Sequence, residues 1–270
     1  MRVNKLFPLF VLLVLTLTSC GHSYKVEGTS SVSYMDGKLL YLKVLQNDKW
    51  INVDSAEVIH GTFKMKGKID SIMVASLYMD DQSIMPVVLE SGTIKINISD
   101  NEMRASGTSL NDKLYAFIDK KNELDLKAQD MDHLQTQMLM NGKDEEEISN
   151  TISRKSDSIV NALSETVKKF ISENYNNAVG PFVFIMVCGD PPMMTPQIED
   201  ILKDAPESFK QNALVNEFIT KARENAQMVV EQQRMEQNED ARSQQSAQNP
   251  NAAAQNPNAA AQQSGQSVPQ

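Results

Sequence analysis

Residues 93–117 read TIKINISDNEMRASGTSLNDKLYAF, and the two halves of this stretch obey different periods. Ile94, Ile96 and Ile98 alternate with polar residues, the mark of a strand with one buried face. Leu110, Leu114 and Phe117 then recur at spacings of four and three, which places them on one side of a helix. Ser109-Leu110-Asn111-Asp112 sits between the two patterns, a serine followed three residues later by an acid, and is read as a variant capping box. The chain therefore changes from β to α structure at about residue 109.

Upstream, LLYLKVL (39–45) is a nearly continuous apolar run and TFKMKG (62–67) carries Phe63 and Met65 on one face. Turn formers punctuate these segments at Asp36-Gly37, Asn47-Asp48, His60-Gly61, Asp80-Asp81 and Ser91-Gly92. About eight strands are expected over 24–108, most of them antiparallel, as a sandwich or open barrel. Downstream, the stripe of Leu110, Leu114, Phe117, Leu124, Ala128, Met131 and Met138 ends at Asn141-Gly142. Asp144 to Glu147 place four acids where the next helix begins, favourable for its dipole. Ile148, Ile152, Ile159, Leu163, Val167 and Phe170 give that helix a matching face, so the two should pack as an antiparallel hairpin. An apolar helix carrying Cys188 follows, then helix starts at Thr195-Pro196 and Pro206. The expected fold is α+β: an antiparallel β sandwich or open barrel over 24–108, a helical domain over 109–232 with a long helix pair, and a C-terminal segment over 233–270. That last segment is a polar helix end followed by a tail holding two copies of QNPNAAA (248–254 and 255–261), expected to be disordered from about residue 243.

The first nineteen residues have the build of an export signal, with Arg2 and Lys5 ahead of a 12-residue apolar run from Leu6 to Leu17. A bilayer-spanning helix needs about 20 residues, so the run is too short to cross. It ends in Leu17-Thr18-Ser19-Cys20, which resembles the lipobox of bacterial lipoproteins. The resemblance implies cleavage before Cys20, acylation of that cysteine and a short linker over 20–23; an ordinary leader with an incidental cysteine is the alternative. Gly21-His22-Ser23 lacks the acidic residues that resemble a surface-export signal, so an outer-membrane, periplasm-facing site is expected.

The net charge is −9, and loss of Arg2 and Lys5 with the leader makes it −11. Such a balance disfavours nucleic acid and anionic lipid surfaces as partners. With Cys20 acylated, Cys188 is the single remaining thiol, so no dithiol centre exists. His22, His60 and His133 show no metal-ligand spacing, and no metal or other cofactor is expected. Asp54-Ser55 could suggest a nucleophile, but strand-end hydrogen bonding is the preferred reading. The fifteen methionines are read as flexible core filler, and Cys188 as a buried small residue.

VDSAEVIHGTFKMKG (53–67), VVLESG (87–92) and ASGTSLND (105–112) are similar to a domain-of-unknown-function family found at the N-terminus of Bacteroidetes lipoproteins that continue into a thioredoxin-like domain. The matching positions are Asp54, Ser55, Gly61, Phe63, Gly67, Leu89, Glu90, Gly92, Ser106, Gly107, Thr108, Leu110 and Asn111. The resemblance extends through the helical stretch to about Glu224. Where the family's thioredoxin-like module would follow, this sequence has a polar helix and the Gln/Asn/Ala tail. The resulting expectation is a non-catalytic, lipid-anchored envelope protein that binds or scaffolds another envelope protein. The alternative is an accessory or docking subunit for a separate thioredoxin-like or peroxidase-type enzyme.

Overall fold

The computed structural model describes residues 22–46, 49–189 and 191–248. Expectations for the leader, Cys20, the Asn47-Asp48 turn and residues 249–270 lie outside the described residues. Eight strands form two four-stranded sheets. They are β1 (His22–Ser30), β2 (Leu39–Gln46), β3 (Lys49–Glu57), β4 (Thr62–Ile69), β5 (Met73–Met79), β6 (Gln82–Leu89), β7 (Gly92–Ile98) and β8 (Met103–Ser106). One sheet has the order β4-β1-β7-β8 and the other β3-β2-β5-β6. All pairs are antiparallel except β1 with β7. The strand starts at His22, paired with Ile69, so the linker expected through residue 23 ends earlier: His22 and Ser23 find backbone partners on β4.

Alternation decides the inner faces. Val26, Met65, Ile94 and Ile96 from the first sheet meet Leu40, Leu42, Leu77 and Val87 from the second in one buried cluster. Two of the tight turns adopt the left-handed conformation at both central residues, at His60-Gly61 and at Asp80-Asp81. This twist suits a two-residue hairpin. At Gly61 the backbone also approaches Ser30 O so closely that a Cβ would lie 2.7 Å from it.

The helices are α1 (Ser109–Met140), α2 (Glu145–Glu173), α3 (Val179–Val187), α4 (Pro196–Lys203), α5 (Glu207–Lys210) and α6 (Ala213–Gln248). Between α1 and α2, Lys143 N–H donates to Met138 O and Gly142 N–H to Leu139 O, which satisfies the last carbonyls of α1. Asp144 then accepts from Glu147 N–H and caps α2. Thr195 caps α4 in the same way through Ile198 N–H. The helical core gathers Leu114, Val183, Phe184, Phe209, Phe218 and Ala222, with Phe184 edge-on to both Phe209 and Phe218. Val88 of β6 belongs to this cluster and Tyr115 of α1 to the sandwich cluster, so the two cores interlock across α1.

Two sequence expectations shift. The α1 stripe is buried only at Leu110, Leu114, Phe117 and Leu124; Ala128 is exposed, and Met131 and Met138 are half-buried. The helix α6 runs to Gln248, past residue 243, where coil was expected. Its Gln, Glu, Arg and Ala residues are good helix formers.

Candidate functional site

The motif positions separate into three groups. Glu90, Gly92, Gly107, Thr108 and Asn111 converge where α1 meets the sandwich. One Glu90 oxygen accepts from Leu110 N–H at 2.7 Å and Asn111 N–H at 3.1 Å. The first turn of a helix presents unpaired N–H groups and a positive dipole end, so a carboxylate suits it. The expected Ser109 box is therefore replaced: Thr108 is the N-cap, and the acid comes from a residue twenty positions upstream. Asp112 reaches back to Gly107 N–H instead, at 3.0 Å. Gly107 itself holds a positive φ, and a Cβ there would meet Thr93 O at 2.9 Å.

Asn111 is fully buried. Its Oδ1 accepts from Val88 N–H at 2.9 Å, while its Nδ2 donates to Val88 O and to Thr108 Oγ1, both at 2.8 Å. One turn later Tyr115 O–H donates to Pro86 O at 2.8 Å. The strand β6 is the edge of its sheet, and residues 86 and 88 face outward along that edge. Pro86 has no N–H to leave unpaired there. Asn111 and Tyr115 thus do for β6 what a ninth strand would do, and α1 covers an edge that would otherwise invite pairing. Of the four polar residues buried among the described residues, Glu90, Thr108 and Asn111 meet here. Burial raises the Tyr115 phenol above its ordinary pKa, so it acts as a donor.

The second group ties the two sheets together. Tyr24 O–H on β1 donates to Asp54 Oδ2 on β3 at 3.1 Å, and Asp54 Oδ1 accepts from Ser55 N–H at 2.8 Å. Burial, and then the neighbouring Asp54 charge, raise the Tyr24 phenol. Gly67 leaves room for the Tyr24 ring: a Cβ would lie 2.6 Å from its hydroxyl. Ser55 is exposed, and Asp54 is engaged with Tyr24 and the backbone, so this pair is a clasp between sheets. In the third group Phe63 is buried across from Gly28, where a Cβ would come within 2.1 Å of the ring, and Gly61 makes the turn that leads into β4.

A separate feature is an open groove of about 1320 Å³ between the outer face of β5 and the helices. Ile72, Phe182, Ile185, Met186 and Leu214 line it, with Trp50 at one rim. Trp50 is half exposed and tilts against Tyr78, 5.4 Å between centroids. Lys43 Nζ lies 4.5 Å from the Tyr78 ring centroid. None of these residues was marked by the sequence reading. The single tryptophan on an edge strand was the available signal.

Cys188 caps the C-terminal end of α3 and is half-buried, where a buried small residue on the helix was expected. Burial pushes its thiol up to about 12. His60 lies in a turn and His133 on α1, and no group of three metal-binding side chains occurs among the described residues.

Residues 24–114 match the family described as Domain of unknown function (DUF4369). The matched segment holds β1 from Tyr24 onward, the other seven strands and the first turn of α1, including every motif position placed above. Comparison with curated proteins and with solved structures gave no match. No helix among the described residues is long and apolar enough to cross a membrane.

Proposed function

We propose that this chain is a non-catalytic envelope lipoprotein, anchored through Cys20, that docks another envelope protein in the groove between β5 and α3. The groove is the observation that supports it. Its floor and walls are mainly aliphatic and aromatic, and Trp50 stands exposed at the rim as an anchor residue of the kind that dominates protein contacts. The motif residues, by contrast, are consumed in holding the fold. Glu90, Asn111 and Asp54 each have their hydrogen-bonding capacity directed at backbone, at Thr108 or at Tyr24, so none of these three is poised as a general base beside a nucleophile. The partner segment this groove suits is an extended or helical stretch presenting two or three large apolar side chains.

Photo-crosslinking in cells tests the reading. A photoreactive residue at Phe182 or Met186 should give one dominant adduct, absent when the probe is placed at Lys155 on the far part of α2. Adducts of equal yield from both positions would refute groove docking. Replacement of Cys20 by Ala should abolish fatty-acid labelling; undiminished labelling would remove the anchor.

A further inference from the structure

The outer face of the sheet β4-β1-β7-β8 carries a concentration of positive charge that the net charge conceals. Lys64, Lys66 and Lys68 alternate along β4, Lys25 lies on β1 and Lys95 on β7, all exposed. Register brings them together: Lys25 pairs across from Lys66, and Glu27 stands between Lys64 on one side and Lys95 on the other. Glu27 is the one acid within this group, and it makes a 2.5 Å ion pair with Lys25. That hydrogen bond and charge, reinforced by Lys64 and Lys95, hold the Glu27 carboxyl below its usual range. Among the described residues Lys64, Lys66, Lys68 and Lys95 make no ion pair within 4.0 Å, and Glu27 is shared among Lys25, Lys64 and Lys95, so the group carries an excess of positive charge in a chain of net charge −9.

Lysines on β4 alone could be protection of an edge strand. Lys25 and Lys95, however, sit on interior strands, where no edge needs guarding. The position of the face supplies the second observation. The strand β1 begins at His22, two residues after Cys20, and lies in this same sheet. Two residues span at most about 7 Å.

We infer that this lysine face is a docking surface for anionic lipid headgroups, which lays the sandwich with β4-β1-β7-β8 against the bilayer and the groove pointing away. A single short tether lets a domain tumble; a basic face beside it fixes one orientation, and acyl chain with basic patch is a recognised pairing of membrane signals. The choice of lipid over another anion and the orientation rest on the proposed acylation of Cys20, whereas the lysine cluster itself does not.

The test uses the chain from Gly21 onward, which retains every described strand and helix and has no acyl group. It is sedimented with vesicles of phosphatidylcholine alone or with 30 mol% phosphatidylglycerol, conditions chosen at about 50 mM salt where charge is weakly screened. Binding is expected with phosphatidylglycerol, not with phosphatidylcholine, and should vanish near 0.5 M salt. The variant K64Q/K66Q/K95Q should bind roughly 100-fold more weakly, about fivefold for each lysine. The variant K120Q/K127Q/K143Q, with the same change in net charge on α1 and its turn, should bind as the parent. Equal binding to both vesicle types, retention by the first variant or equal loss by the second each overturns the inference. A first variant that loses capture by immobilised polyglutamate while keeping its hold on vesicles assigns the face to an acidic protein and overturns the lipid reading. Because these lysines are exposed, the native melting temperature should be kept; if it is not, the salt and lipid dependence of the parent still decides.

Discussion

Replacing Asn111 by alanine removes three hydrogen bonds at a fully buried site and leaves both the N–H and the C=O of Val88 without partners. Each buried backbone group left unpaired costs about 1–3 kcal/mol. The loss should therefore fall at about 3–5 kcal/mol, among the larger effects of single substitutions. For a body of this size each kcal/mol lowers the melting temperature by about 2–4 °C, giving a drop of about 10 °C or more. Circular dichroism melts would measure it, and hydrogen exchange at the Val88 amide would localise it. Asn111→Asp is the sharper companion. Aspartate keeps the shape and can still accept from Val88 N–H, yet it cannot donate to Val88 O or Thr108 Oγ1, and it adds a negative charge to the turn already bonded to Glu90. It should destabilise at least as much as alanine. A native-like melt for Asn111→Asp, or a Val88 amide that stays protected in Asn111→Ala, would refute the view that this side chain substitutes for a strand.

Glu90→Gln keeps an acceptor for the Leu110 and Asn111 amides but loses the charge at the helix start, and should cost about 1–2 kcal/mol by denaturant titration. Gly28→Ala drives a methyl into the Phe63 ring and should cost about 1–3 kcal/mol, partly recovered by adding Phe63→Leu, as thermal melts of the single and double variants would show. Cys188, with its thiol pushed up to about 12, should resist iodoacetamide at pH 8 and react rapidly in urea. Its burial favours the neutral thiol, so that contribution to stability is present below pH 9 and is lost as pH rises from about 9 toward 12.

The strand periods, the break at residue 109 and the caps at Asp144 and Thr195 were legible because each is a local signal: alternation, an acid or hydroxyl at a helix start, a proline just inside. The α1 cap was not. Ser109-Leu110-Asn111-Asp112 has the local pattern, but Glu90 outcompetes Ser109 because β6 ends beside the first turn of α1, a juxtaposition fixed only when both sheets have packed. The same applies to Asp54. Its neighbour Ser55 drew attention as a possible nucleophile, while its actual partner, Tyr24, lies thirty residues away on the other sheet. Motif positions here mark where segments must meet, and a sequence read in windows sees each half of such a meeting separately.

The total charge is a poor guide to any one face for a related reason. A total of −9 averages over a surface, whereas a strand sorts its residues between two faces at every step. In TFKMKGK the apolar residues that identify the strand and the lysines that charge its back are the same observation, since burying Phe63 and Met65 forces Lys64, Lys66 and Lys68 outward together. Parallel pairing of β1 with β7 then sets Glu27 across from Lys95, and antiparallel pairing with β4 sets Lys25 across from Lys66. The acids that outweigh these lysines lie largely on the helices, at Glu145, Glu146 and Glu147 and along α1 and α6. The two outer faces of the sandwich consequently differ in kind: one is cationic, and the other, partly roofed by α3, is grooved and apolar. A molecule held to a bilayer by the first face would offer the second to a partner, so loss of the lysines should weaken vesicle binding while leaving groove crosslinking through Phe182 unchanged in the soluble form.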